Sequence, residues 1–375
     1  MTFSALLDEV RTDLIERDEE TELVLLGIIA RVNVCFVGVH GTAKSMLVEA
    51  IMQAIDLGNK GFLQLMHKFL QPDDLFGPLK ISAFKEDKYE HVFTNMMQEA
   101  LIAFLDEIWK CSPACLTGLF RAINERKFTN GTAGQVSIPL WSCVSASNEW
   151  PIGEDYKDLP ALFDRFLIRK TIKPVSPRRL RDLMFGQRKG YVDVVSSIDE
   201  VMGWQRECDA KTFTIEAEEA ILEIVRSCAA DEIFIGDRRR AQSVKVCQAQ
   251  AVINGHAEVE ITDIEPLKHV LWEDPEAMPR VAEIIGKKCD PGTYRVQEIL
   301  VETQILIDKM EGLTGREENE VLGHIGLKVD ELDRLNGNQK SIDAAREYIK
   351  YQIDTLRRQT VNYARPSRAY KPINA

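Results

Sequence analysis

A chain of 375 residues is too long for one small core and implies two or three domains. Hydrophobic residues make up 45% and charged residues 28%, the balance of an ordinary globular protein. The net charge of -12 argues against unspecific binding to nucleic acid or anionic membrane, and no apolar run approaches the roughly 20 residues that span a bilayer.

The N-terminus, MTFSALLDEV, has no basic start ahead of an apolar stretch, so no secretory signal is expected and the chain reads as cytoplasmic. Its 8 cysteines are scattered and read as small buried hydrophobes in a reducing compartment. Cys111 and Cys115 would share a helix face, but a metal site needs further ligands and no second Cys or His pair stands nearby.

Residues 4–30 read as helix, with Leu6, Leu7, Val10 and Leu14 and then Leu23, Leu25, Leu26 and Ile29 at helical spacing. Val32–Val37 is a short β-branched run ending at Gly38, and Ser45 to Ile55 is helical again. Strand, glycine-containing loop and helix make the unit a phosphate loop requires. Two more apolar runs, Ala100 to Leu105 and Ile138 to Ala146, alternate with helices, which points to a buried parallel sheet. Pro174 and Pro177 mark a domain boundary. Residues 178–273 look all-helical, with Asp237 as a cap, Gly255 as a stop and Thr262-Asp263-Ile264-Glu265 as a capping box.

Beyond Pro275 three apolar stripes follow: Val296, Ile299, Leu300, Leu306 and Met310; Val321, Leu322, Ile325, Val329 and Leu332; Ile342, Ala345, Ile349, Ile353 and Leu356. Breaks at 312–315 and 336–337 separate them, as in a helical hairpin or small bundle. The domain reading is 1–175, 176–275 and 276–375.

The run Gly38-Val39-His40-Gly41-Thr42-Ala43-Lys44-Ser45 matches the P-loop pattern except that Ala43 replaces its second glycine. Backbone N–H groups and the helix N-terminus would hold phosphates, Lys44 would reach the β- and γ-phosphates, and Ser45 would hold Mg²⁺. The nucleotide-binding set is Gly38, His40, Gly41, Thr42, Ala43, Lys44, Ser45 and Met46, with Asp106. The strand Leu101–Leu105 delivers Asp106 toward Mg²⁺ and Glu107 toward the attacking water. Asn148, after the third strand, could touch the γ-phosphate or that water, or merely cap a turn. Arg165 and Arg169 lie on what reads as an exposed edge. Either suits an arginine finger in a neighbouring subunit, against a surface salt bridge with Asp164. Arg238 opens a helix and could lean on the phosphates of its own subunit, or be a solvated basic turn.

Taken in order, these motifs resemble the MoxR branch of AAA+ ATPases, and within it the RavA-type proteins. The carrying residues are Gly38 to Ser45, Asp74-Leu75-Phe76-Gly77-Pro78-Leu79, Phe104 to Lys110, Ala122 to Arg126, Ser145 to Glu149, Asp164-Arg165 and Asp237-Arg238-Arg239. The resemblance covers about residues 14–273 and includes an alanine before the P-loop lysine. It implies an αβα P-loop core, an all-helical lid and a homo-hexameric ring that binds ATP and Mg²⁺. It also implies an insertion near residues 76–98, with Tyr89, Phe93, Met96 and Met97 as contacts to substrate or pore. Carried over, Asn148 is sensor 1, Arg165 the finger with Arg169 as rival, and Arg238 sensor 2. The implied work is remodelling of a protein partner, often with a von Willebrand A domain protein.

Two other readings stand beside it. A nucleic-acid motor would draw on the tail Arg357, Arg358, Tyr363, Arg365, Arg368, Tyr370 and Lys371, which mixes cations with aromatics. A slow assembly scaffold would use hydrolysis as a timer. The helices at 294–361 are expected to be a partner-binding or ring-stabilising appendage.

Overall fold

The apolar runs become neighbouring strands of one sheet. The computed structural model describes residues 3–151, 159–186, 189–310, 316–335, 342–343 and 345–353, which fall into two compact units, Met1–Ala282 and Glu283–Ala375. The basic tail from 357 onward, Leu356 and the breaks at 312–315 and 336–337 lie outside the described residues.

In the first unit the chain runs α1 (Phe3–Arg11), α2 (Asp18–Ala30), β1 (Asn33–Val37), α3 (Lys44–Ala54), β2 (Gly61–Leu65), α4 (Pro72–Phe76), α5 (Ile81–Phe84) and β3 (Ile102–Asp106). It continues with α6 (Pro113–Glu125), β4 (Lys127–Thr129), β5 (Gln135–Ser137), β6 (Ser142–Ser147), α7 (Pro160–Phe163) and β7 (Phe166–Thr171). Strands β2-β3-β6-β1-β7 form a parallel sheet in that order. β1, β3 and β6 are buried almost throughout, which is why each reads as a continuous apolar run rather than an alternation. All five C-terminal strand ends share one edge, where open α/β sheets place their ligands.

Several local expectations change. Residues 4–30 form two helices, not one, because the chain breaks between Arg11 and Asp18 and Glu16 adopts a left-handed backbone (φ 55). The strand expected from Ile138 begins only at Ser142, because β4 and β5 form an antiparallel hairpin ahead of it. That hairpin was legible: Lys127-Phe128-Thr129 and Gln135-Val136-Ser137 flank a five-residue loop that holds Gly131 and Gly134.

The hairpin and the insertion buttress one another. Tyr89 N–H donates to Thr132 Oγ1 at 2.9 Å, and His91 N–H donates to Asn130 Oδ1 at 2.7 Å. Phe93 and Phe76 both meet the Phe128 ring. Tyr89 is exposed, but Met97 is fully buried beneath the insertion and cannot be a surface contact. All eight cysteines are buried and free.

The lid consists of α8 (Leu180–Phe185), α9 (Ile198–Ala210), α10 (Ile215–Ala230), α11 (Asp237–Asn254) and a 3-10 strap, Ile261–His269. Gly236, not Asp237, is the N-cap of α11. The capping box of the strap is formed by Glu260 and Asp263 rather than by Thr262 and Glu265. Gln205 and Gln250 reach back to the Ile28 carbonyl and Glu22 on α2.

Two arginines lock lid to core. Arg169, on β7, donates to the carbonyls of Phe166, Phe163 and Trp272 at 2.8, 2.9 and 3.2 Å and lies over the Phe163 ring. Arg239, on α11, donates to the carbonyls of Leu167 and Val270 at 2.8 and 2.9 Å. Both are 1% exposed. Arg169 is therefore an internal strut and not the finger, because β7 is covered by the lid strap. Burial holds its guanidinium well below the usual arginine range, with neighbouring Arg239 adding to the effect. Arg169→Ala leaves several buried carbonyls without donors. It is expected to lower unfolding free energy by about 3 kcal/mol, measured by chemical denaturation.

α12 (Met278–Cys289) links the lid to the second unit, which holds α13 (Pro291–Asp308) and α14 (Arg316–Asp333), with residues 345–353 also helical. The three predicted stripes meet there: Val296, Ile299, Ile325, Leu332, Ala345 and Ile349 share one core. Among the described residues, no helix is long and apolar enough to cross a membrane.

Candidate functional site

The loop after β1 turns sharply because two glycines allow it. A Cβ on Gly38 would lie 2.4 Å from the Ile172 carbonyl, and Gly41 has φ +76. Gly38 N–H donates to the Ser147 carbonyl at 3.0 Å, seating the loop on the end of β6. Ala43 caps α3 in the left-handed region (φ 62), where an L residue is strained. Ala43→Gly is expected to stabilise the protein by about 1 kcal/mol, visible as a raised melting temperature.

Lys44 is buried at the mouth of α3, and its Nζ donates to the carbonyls of Gly38 and Val39 at 2.5 and 3.1 Å. Burial lowers its pKa, and Asp106 and Glu107 push back against that. Ser45 Oγ lies 3.5 Å from Asp106 Oδ2, so the hydroxyl and the carboxylate present oxygens to one point. An oxygen-only donor pair beside a phosphate loop suits Mg²⁺, which takes one or two carboxylates and completes its shell with water and phosphate. Among the described residues no cluster of three His, Cys, Asp or Glu could hold another metal.

Glu107 follows β3 with a left-handed backbone (φ 55), and its side chain is buried. Its Oε1 accepts from Asn148 Nδ2 at 2.5 Å, and Lys110 Nζ lies 3.1 Å from Oε2. Asn148 Nδ2 also lies 2.6 Å from His40 Nε2. His40 Nδ1 lies 3.5 Å from Glu107 Oε1, closing a three-membered ring of contacts. Glu107, Asn148 and His40 come from three separate loops, so only Glu107 and Asn148 were assigned hydrolytic roles from sequence. The part played by His40 and Lys110 was missed.

Beside the loop lies a cleft of about 230 Å³. Leu14, Ile15, Val39 and Met46 line one side, and Pro174, Val175, Leu180 and Leu183 the other. Apolar side chains make up most of its wall. Its walls are tied together: Arg17 donates to the carbonyls of Thr42 and Lys173 at 3.0 and 2.9 Å, and Ser176 N–H donates to Glu16 at 2.6 Å. Sequence reasoning assigned its loop side, His40 to Met46, to nucleotide binding and took Pro174, on the other side, as a boundary.

The two remaining arginines sit elsewhere. Arg165 pairs with Asp164 at 2.7 Å, lies over the Phe120 ring and is part-buried rather than on an open edge. Its carbonyl accepts from Asn33 Nδ2 at 2.9 Å, which places it at the N-terminal end of β1 and β7. Arg238 donates to Asn124 Oδ1 at 2.6 Å, in the last turn of α6. The next residue but one, Arg126, bonds Asn33 Oδ1, so Arg238 lies at that same end. Burial lowers the Arg238 pKa, and Arg165 nearby lowers it further. The length of β1, about 16 Å for five residues, separates this end from the phosphate loop. Arg238 therefore cannot lean on the phosphates of its own subunit in this arrangement.

Residues 1–200 match the family described as the MoxR domain in the MoxR-vWA-beta-propeller ternary systems, and residues 216–285 match an AAA lid domain. An uncharacterized protein of Methanocaldococcus jannaschii is 34% identical over 283 residues, covering 74% of this chain and 72% of its own. A second from the same organism is 32% identical over 288 residues, covering 75% of each. A crystal structure of a proposed ATPase from Cytophaga hutchinsonii aligns with a TM-score of 0.61 over 76% of this chain and 93% of that one. At 19% identity that likeness shows the fold alone. With its phosphate loop, parallel sheet and AAA lid, the chain belongs to the MoxR family of AAA+ ATPases.

Proposed function

We propose that the protein hydrolyses ATP with Mg²⁺ at sites shared between neighbouring subunits of a ring. The observation that carries this is the division of the catalytic set. Lys44, Ser45, Asp106, Glu107 and Asn148 gather at the C-terminal ends of the strands. Arg165 and Arg238 project from the opposite ends. A subunit so built completes its site only by meeting another head to tail, and closed head-to-tail contacts make rings. A hexamer is the ring size in keeping with the family resemblance.

In this reading the base enters the cleft between Ile15 and Leu183, and the loop amides and Lys44 take the phosphates. Ser45 and Asp106 would hold Mg²⁺, which supplies charge neutralisation on the phosphate oxygens. Glu107 orients and deprotonates the attacking water, and Asn148 aligns Glu107 with the γ-phosphate. Asn148 Oδ1 is buried without a hydrogen-bond partner, and Glu107 Oε2 meets only the Lys110 ammonium, 3.1 Å away. They are ready acceptors for a water molecule. Arg165 and Arg238 of one subunit neutralise transition-state charge in the next.

The output we propose is remodelling of a protein partner in the cytoplasm. A von Willebrand A domain protein is the first candidate, since the matched family is described from systems containing one. The RavA-type kinship read from the sequence motifs remains part of this proposal. The test is ATP hydrolysis per subunit against protein concentration. Specific activity should rise with concentration as rings form, and activity that stays flat from nanomolar to micromolar protein would sink the shared-site reading.

A further inference from the structure

The hydrolytic glutamate is caged by a loop residue that the P-loop pattern leaves unspecified. Asn148 Nδ2 has two hydrogens, and its two close neighbours are Glu107 Oε1 at 2.5 Å and His40 Nε2 at 2.6 Å. A carboxylate can only accept, so the amide nitrogen must face Glu107. His40 Nε2 must then accept as well, which puts the imidazole proton on Nδ1. Nδ1 itself lies 3.5 Å from Glu107 Oε1. Neutral His40 thus fixes Asn148 in the one orientation that serves Glu107.

We propose that His40 is a positioning residue for hydrolysis: as the Nδ1–H tautomer it holds Asn148 on Glu107, and as an imidazolium it dislodges Asn148 and captures Glu107. The proposal rests on Glu107 being the general base. A proton taken from solvent onto Nε2 would set two N–H donors against each other at 2.6 Å, so the Asn148 amide must turn or withdraw. The same proton makes His40 a cation beside Glu107. The carboxylate would then lie between two cations, His40 and Lys110, and be withdrawn from water. The side chain of His40 is 77% exposed, so solvent protons reach it freely. Asp13 and Arg17 line the same cleft as His40, and the Lys44 ammonium is bound to the carbonyl of Val39 beside it.

The experiment is kcat of the full chain with saturating Mg–ATP from pH 5.5 to 8.0. The wild-type rate is expected to fall as the pH is lowered, because a ring protonated on both nitrogens cannot accept from Asn148. His40→Gln offers Asn148 an acceptor but cannot become a cation. Scaled to its own rate at pH 7.5, it should lose that inflection whatever its absolute activity. An unchanged inflection in His40→Gln would overturn the proposal, since a proton on the nucleotide would act on both proteins alike. Nitrogen-15 NMR of the His40 ring, recorded without turnover, should show the Nδ1–H tautomer at pH 8. An Nε2–H tautomer would also overturn it. Wild-type hydrolysis in Glu107→Gln would instead remove the base assignment beneath the proposal, and the tautomer measurement tells that failure from the other.

Discussion

Glu107→Gln is expected to slow ATP hydrolysis by about 10²–10⁴-fold while leaving nucleotide binding nearly intact. The amide keeps the size of the carboxylate, and its oxygen can still accept from Asn148, which now sits 2.5 Å away. What it loses is the capacity to take a proton from water. In the proposed site the phosphate contacts fall to Lys44 and the loop amides, so affinity should move little. Steady-state turnover and calorimetric binding of ATP measure the two effects separately. A fall in rate smaller than tenfold would mean that another group polarises the water.

Arg165→Ala is expected to cost about 10³-fold in turnover, the effect of removing an arginine finger. The more telling version mixes two inactive proteins. In a head-to-tail ring assembled from equal parts of Arg165→Ala and Glu107→Gln subunits, about a quarter of the junctions join an intact Glu107 to an intact Arg165. Mixing should then recover roughly a quarter of wild-type activity. If Arg165 serves its own subunit, no junction is whole and nothing is recovered. Arg165 also pairs with Asp164, so the melting temperature of the variant must be checked beside its rate. Arg169→Ala makes the contrast, since that side chain is a strut whose loss should appear in stability first.

Much of the site could be read because it is local. Gly38 to Ser45 carries its loop, its lysine and its helix start in eight consecutive residues, and Asp106-Glu107 ends an unbroken apolar strand. Side-chain direction was harder to read. Arg165 and Arg169 lie four residues apart in one basic stretch, and only the lid strap packed over β7 shows that the second points inward. The cleft beside the loop drew on two further segments, around residues 13–17 and 174–183, neither with a motif of its own. Arg238 was misjudged for a related reason. Its place in the sequence marks the start of a lid helix, but only the contact with Asn124 reveals which end of the sheet it faces.

The two buried arginines also bear on how force would travel. Each of Arg169 and Arg239 bonds several carbonyls on both sides of the boundary between sheet and lid. Glu19 on α2 adds a further clasp, accepting from His269 at 2.8 Å and pairing with Lys268 at 2.9 Å on the strap. Swinging the lid against the sheet would strip all of these buried groups of their partners together. Sheet and lid are therefore built to turn as one lever, and in the proposed ring any stroke would have its fulcrum at the seam between subunits. Arg238, one residue before Arg239, is held by Asn124 and would be carried with that lever.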